Sequence, residues 1–149
     1  MGGGNTLVIV TADHGIIDTT TDRVIELGPT KRLHWMIGRD ATCDIVIDDA
    51  SHASHHQQNA FLELFPALPS GGLYVIEDLR WQPDAFERPG ITKTAQLFRG
   101  FSETREFHHE DPETEADFRA LAPEISGCFV FQVKYTKTRR DQVAVIHKR

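Results

Sequence analysis

The chain is 149 residues long, with 16 lysines and arginines against 22 aspartates and glutamates and a formal charge of −6. That length fits one domain, residues 1–149, and 40% apolar with 26% charged residues excludes the disordered and fibrous classes. The acidic balance argues against a nucleic-acid partner bound through its phosphates, and no apolar run approaches the roughly 18–20 residues of a membrane span. A cytoplasmic protein with neither partner is expected.

Leu7-Val-Ile-Val10 is a continuous apolar run of the kind a strand buried on both faces requires, and Thr11 to Gly15 break it. Short strands are expected at Arg23–Leu27, stopped by Gly28-Pro29, and at Leu33–Ile37. Cys43-Asp-Ile-Val-Ile47 is a second buried strand, ending in the paired acids Asp48 and Asp49. From Ser54 the period changes. Phe61, Leu64, Phe65 and Leu68 fall at i, i+3, i+4 and i+7, one face of a helix, with Ser51 or Ser54 as N-cap and Pro66 as its stop or kink. Pro69-Ser-Gly-Gly72 is a turn, and Leu73-Tyr-Val-Ile76 a third buried strand that ends in Glu77-Asp78. Strand, helix, glycine-rich turn and strand make a right-handed βαβ unit and hence a parallel sheet. Residues 80–112 read as a long irregular excursion, Glu113–Leu121 as a polar helix, and Cys128–Tyr135 with Gln142–His147 as a closing hairpin. Cys43 and Cys128 sit in apolar strand-like runs, where buried thiols are expected rather than a disulfide or a zinc cluster.

In parallel α/β sheets ligands bind beyond the carboxyl ends of the strands. Both acidic pairs fall at such ends, so neighbouring strands would bring up to four carboxylates to one rim. Their repulsion calls for a cation, and oxygen ligands favour Mg²⁺, Mn²⁺ or Ca²⁺ over zinc. His52 lies three residues past Asp49, within reach of a substrate hydroxyl beside such a metal, as a general base. His52 and His56, at i and i+4, offer instead one face of a zinc site, a pattern with no third histidine or thiolate to complete it. At least one of His55 and His56 is expected to be a solvated histidine on the helix surface.

The run Cys43 to His52, the His56-Gln-Gln58 segment of the helix, and Leu64-Phe-Pro-Ala-Leu-Pro-Ser-Gly-Gly-Leu-Tyr-Val-Ile-Glu-Asp-Leu79 resemble the second half of class I S-adenosylmethionine-dependent methyltransferases. The resemblance is to the metal-dependent sugar O-methyltransferases of macrolide biosynthesis, dense over 43–79 and weaker to 147. It implies an α/β, Rossmann-like sheet, mostly parallel with an antiparallel C-terminal hairpin. It implies Asp49, Glu77 and Asp78 as Mg²⁺ ligands, His52 as the base, and S-adenosylmethionine as donor to a hydroxyl of a small molecule or sugar. The catalytic half is then 41–149, preceded by an atypical segment, 1–40. Gly2-Gly-Gly4 precedes the first strand instead of following it, so it does not make the strand-to-helix turn a nucleotide cofactor needs. The cofactor half is incomplete, and no cofactor-binding residue is legible.

Asn5-Thr-Leu-Val-Ile-Val-Thr-Ala-Asp-His-Gly15 is similar to the metal-binding strand end of the alkaline phosphatase superfamily, which implies Asp13 and His14 as zinc ligands. Three expectations result: a methyltransferase-like domain with a carboxylate metal site, a metal-dependent phosphoester hydrolase, and a composite, non-enzymatic half of a Rossmann-like sheet. The exposed edge of such a half sheet favours a homo-oligomer or a partner chain.

Overall fold

A computed structural model describes residues 7–11, 44–49, 52–79, 87–134 and 140–149. Chain order runs β1 (Leu7–Thr11), β2 (Ile45–Asp49), α1 (Ser54–Leu64), a 3-10 turn (Phe65–Ala67), β3 (Leu73–Ile76), α2 (Thr94–Thr104), α3 (Pro112–Leu121), a second 3-10 turn (Ala122–Glu124), β4 (Ile125–Lys134) and β5 (Arg140–Lys148). The five strands form one sheet in the order β1-β2-β3-β5-β4. The first three are parallel, and β5 runs antiparallel to both β3 and β4. The expected α/β sheet with an antiparallel closing hairpin is therefore the one observed, with β5 inserted between β3 and β4. The strands expected at 23–27 and 33–37 lie outside the described residues, as do Cys43, Ser51, Asp13 and His14. Among the described residues no helix is long and apolar enough to cross a membrane.

Strand alternation sorts the sheet into two faces. Val46, Tyr74, Ile76, Cys128, Ala144 and Ile146 point to the helix side and join Phe61, Leu64, Phe65, Leu68, Phe98, Phe101, Phe107 and Phe118 in one buried cluster. All four apolar positions of the expected helix face, Phe61, Leu64, Phe65 and Leu68, are buried. The regular helix nonetheless stops at Leu64, because Pro66 has no N–H to continue the ladder and turns Phe65–Ala67 into a 3-10 turn. Lys148 closes that end: its Nζ donates to the carbonyls of Phe65 (3.2 Å) and Pro66 (2.7 Å) and pairs with Glu124. The turn before β3 needs both glycines. Gly71 takes φ +85°, and a Cβ on Gly72 would lie 2.9 Å from the Pro69 carbonyl oxygen.

Three expectations are corrected. The stretch 80–112 is not irregular throughout, since Thr94–Thr104 forms α2, which buries Leu97, Phe98 and Phe101 against the sheet and ends at Arg105 in the left-handed region. Pro89-Gly90 and Gly100 suggest a loop, yet tertiary burial of the spacing Ala95, Phe98, Phe101 outweighs them. The N-cap of α1 is Ala53, with no side-chain cap of its own. The polar helix begins one residue early, at Pro112, because Asp111 Oδ2 accepts from the Thr114 N–H (3.1 Å). Cys128 is buried as expected, and desolvation pushes its thiol up to about 12, leaving it inert.

Candidate functional site

β2 and β3 pair in parallel register through Asp48 and Ile76, and the Glu77 N–H donates to the Asp48 carbonyl (3.0 Å), so both carboxyl ends open at one edge. There Asp49, His52 and Asp78 converge, each offering one ligand atom within 4.8 Å of the others. His52 Nε2 stands 3.7 Å from Asp78 Oδ2. His52 and Asp78 both take left-handed backbone conformations, φ 58° and 50°. Such conformations cost a non-glycine residue about 1–3 kcal/mol and cluster at functional sites.

Not all of the expected rim forms. Strand alternation that aims Asp49 at the site aims Asp48 at the helix side, where it is 1% exposed and accepts a long hydrogen bond (3.5 Å) from the Tyr74 hydroxyl. Burial, with Asp48 alongside, raises the Tyr74 phenol well above its ordinary range. Glu77 sits at the strand end beside the cluster, and Asp49, His52 and Asp78 are the three whose ligand atoms converge. The Glu77 carbonyl accepts from Gln57 Nε2 (3.2 Å), tying α1 to the end of β3.

The histidines also sort differently from the sequence expectation. His52 precedes the first residue of α1, so it shares no helical face with His56 and the i, i+4 zinc pair does not form. Neither His55 nor His56 is a solvated surface residue: the first is buried, the second half-buried, with ring centroids 4.0 Å apart. Burial, then His56 and Arg88, lower His55 to about 4, and burial followed by Arg88 lowers His56 as well. Protonation therefore favours the unfolded chain. Stability carried by the neutral His55 is complete above its unfolded value of 6.5 and is lost as pH falls towards about 4. Urea midpoints taken from pH 7 to 4 should show that His55→Gln flattens this decline relative to the native chain; an unchanged slope would show that His55 does not contribute to it.

A set of residues that sequence reasoning misses holds α1 at its start. Glu87 Oε1 accepts from the Ser54 N–H and hydroxyl, each at 3.0 Å, and pairs with Lys93 at 3.3 Å. It supplies, from 33 positions away, the acceptor that Ala53 lacks. Thr94 Oγ1 donates to the Ser54 carbonyl (3.2 Å) and Gln58 Nε2 to the Thr92 carbonyl (2.6 Å). The segment after Glu87 is thereby clamped to the helix that follows His52. No local signal marks Glu87, because its partners are distant in sequence.

No family model matches the chain. It is 69% identical over 36 residues to the 8-demethyl-8-(2-methoxy-alpha-L-rhamnosyl)-tetracenomycin-C 3'-O-methyltransferase of Streptomyces olivaceus, covering 24% of this chain and 9% of that protein. It is 30% identical over 105 residues to the L-olivosyl-oleandolide 3-O-methyltransferase of Streptomyces antibioticus, covering 65% and 27%. The chain is similar to sugar O-methyltransferases. It spans a tenth to about a quarter of the length of these relatives. Among solved structures, the MycE methyltransferase from the mycinamycin biosynthetic pathway, in complex with Mg, SAH and mycinamycin VI, aligns at 25% identity with a TM-score of 0.44, over 83% of this chain and 31% of that one. The resemblance of residues 5–15 to the alkaline phosphatase superfamily is not borne out, since the relatives found are methyltransferases.

Proposed function

We propose that this chain carries the metal-binding catalytic edge of an O-methyltransferase that acts on a hydroxyl of a small molecule or sugar. The observation that carries the proposal is the convergence of Asp49, His52 and Asp78 at the ends of adjacent parallel strands. Their donor set fits Mg²⁺, because hard carboxylate oxygens dominate it. Asp49 and Asp78 would hold the ion, with Glu77 added as a third ligand by the resemblance alone, and the ion would supply Lewis-acid polarisation of the acceptor hydroxyl. S-adenosylmethionine would supply an electrophilic methyl group, and no described residue is assigned to it.

The remaining work belongs to the protein. His52, 3.7 Å from Asp78, takes the proton of the acceptor hydroxyl at Nε2, and the Asp78 carboxylate stabilises the imidazolium that results. Gln57, through the Glu77 carbonyl, and Glu87, through the first turn of α1, hold the two acidic strand ends and the histidine in one frame. The sugar specificity of the relatives supports a sugar hydroxyl as acceptor.

Titration calorimetry tests the proposal. Mg²⁺ or Mn²⁺ should bind saturably, and Asp49→Asn should weaken that binding about tenfold or more. Binding that Asp49→Asn leaves unchanged would overturn the metal assignment. S-adenosylmethionine added to the metal-loaded chain should bind saturably; intact metal binding with no donor binding would favour the composite, non-enzymatic half sheet.

A further inference from the structure

We propose that Zn²⁺ shuts this site down by taking His52 as a ligand: Asp49, Asp78 and the His52 imidazole together hold Zn²⁺, whereas Mg²⁺ is held through oxygen and leaves the imidazole to act as base. The inference rests on the metal and base assignments proposed above, and adds to them an ion that regulates the same site.

The conflict lies in one atom. Asp49, His52 and Asp78 each bring one ligand atom within 4.8 Å of the others, so the histidine belongs to the same constellation as the two carboxylates. Its Nε2, 3.7 Å from Asp78 Oδ2, is also the atom to which proton transfer is assigned. Ligation uses the lone pair that would otherwise take the acceptor's proton, and any proton already on that nitrogen passes to solvent. A ligated imidazole is therefore no base.

Geometry and ligand chemistry favour Zn²⁺ for this set. Bonds of about 2.0–2.2 Å put neighbouring ligands of tetrahedral Zn²⁺ about 3.3–3.6 Å apart, and His52 Nε2 and Asp78 Oδ2 already stand near that separation. Their side chains are 13% and 38% exposed, so an ion from solvent reaches them. The two carboxylates balance its charge. Imidazole suits zinc, whereas carboxylate and water oxygens suit Mg²⁺. Mg²⁺ gives up water reluctantly and demands octahedral geometry, so it keeps water where Zn²⁺ takes the nitrogen. His52 thus sorts the two ions by ligand type.

Calorimetry of the native chain and of His52→Ala, each titrated with Zn²⁺ and with Mg²⁺, tests the proposal. His52→Ala should lower Zn²⁺ affinity about tenfold or more and leave Mg²⁺ affinity within about twofold. A second measurement uses the native chain carrying isotopically labelled histidine: the nitrogen resonance of His52 Nε2 should move strongly on saturation with Zn²⁺ and little with Mg²⁺. A Zn²⁺ affinity that His52→Ala leaves unchanged, or an Nε2 resonance indifferent to Zn²⁺, would overturn the proposal and leave the Mg²⁺ site standing. Equal losses of both ions would make His52 a common ligand and overturn it too. Mg²⁺ binding that Asp49→Asn leaves intact is a different failure, that of the metal assignment itself, and takes this inference with it.

Discussion

His52→Gln is expected to lower the rate of methyl transfer about 10²–10⁴-fold while leaving Mg²⁺ affinity near its native value. Geometry separates the two outcomes. His52 Nε2 lies 3.7 Å from Asp78 Oδ2, so its imidazole is placed to move a proton beside the carboxylates. Glutamine keeps a polar group of similar reach but accepts no proton at neutral pH, so the substitution removes the proposed base and spares the frame. Asp78→Asn should lose most of the metal affinity, and the rate with it. Calorimetry with Mn²⁺ alongside single-turnover methyl transfer measures both quantities on each variant. A His52→Gln chain that lost metal binding as severely as Asp78→Asn would make His52 a ligand and leave the base unassigned.

Phe61→Ala is expected to destabilise the fold by about 3–5 kcal/mol, the largest effect of any core substitution here. Phe61 is fully buried. Its ring stacks on Phe65 and Phe118 at centroid distances of 4.7 and 5.7 Å and meets Tyr74 and Phe98 edge-on at 5.1 and 5.0 Å. It is thus the point where α1, α2, α3 and β3 share one contact. Removing it leaves a cavity walled by four rigid rings, which collapse poorly onto empty space. A domain of this size commonly has about 5–15 kcal/mol in total, so the variant should approach half-unfolding under mild denaturant. Urea unfolding followed by circular dichroism gives the number, and Phe61→Leu should recover most of it. A loss below about 1 kcal/mol would show that the aromatic cluster is not the cooperative core.

The sequence by itself determined much of the sheet and the position of its acids. Apolar runs at 7–10, 43–47 and 73–76 became β1, β2 and β3, although β2 and β3 bury only alternate residues and leave the others half-buried instead of being buried on both faces. The helical spacing of Phe61, Leu64, Phe65 and Leu68 selected the buried face of α1, and Pro66 marked where its regular turns end. Asp49, Glu77 and Asp78 were legible as strand-end acids. The resemblance over residues 43–79 added the chemistry those acids can perform.

Tertiary structure decided the rest. Asp48 and Asp49 are chemically identical, and strand alternation alone sends one into the core beside Tyr74 and the other to the candidate site. α2 was hidden because Gly100 and the preceding Pro89-Gly90 weaken the local signal, and only packing on the sheet stabilises it. Glu87 caps a helix that begins 33 residues before it, a pairing that no local pattern encodes. The left-handed turns at His52 and Asp78 are held by the surrounding frame against the preference of both residues. Length, composition and the charge of −6 bounded the kind of molecule. Which of those charges became a site was settled by the direction each strand points its side chains, a property of the folded sheet.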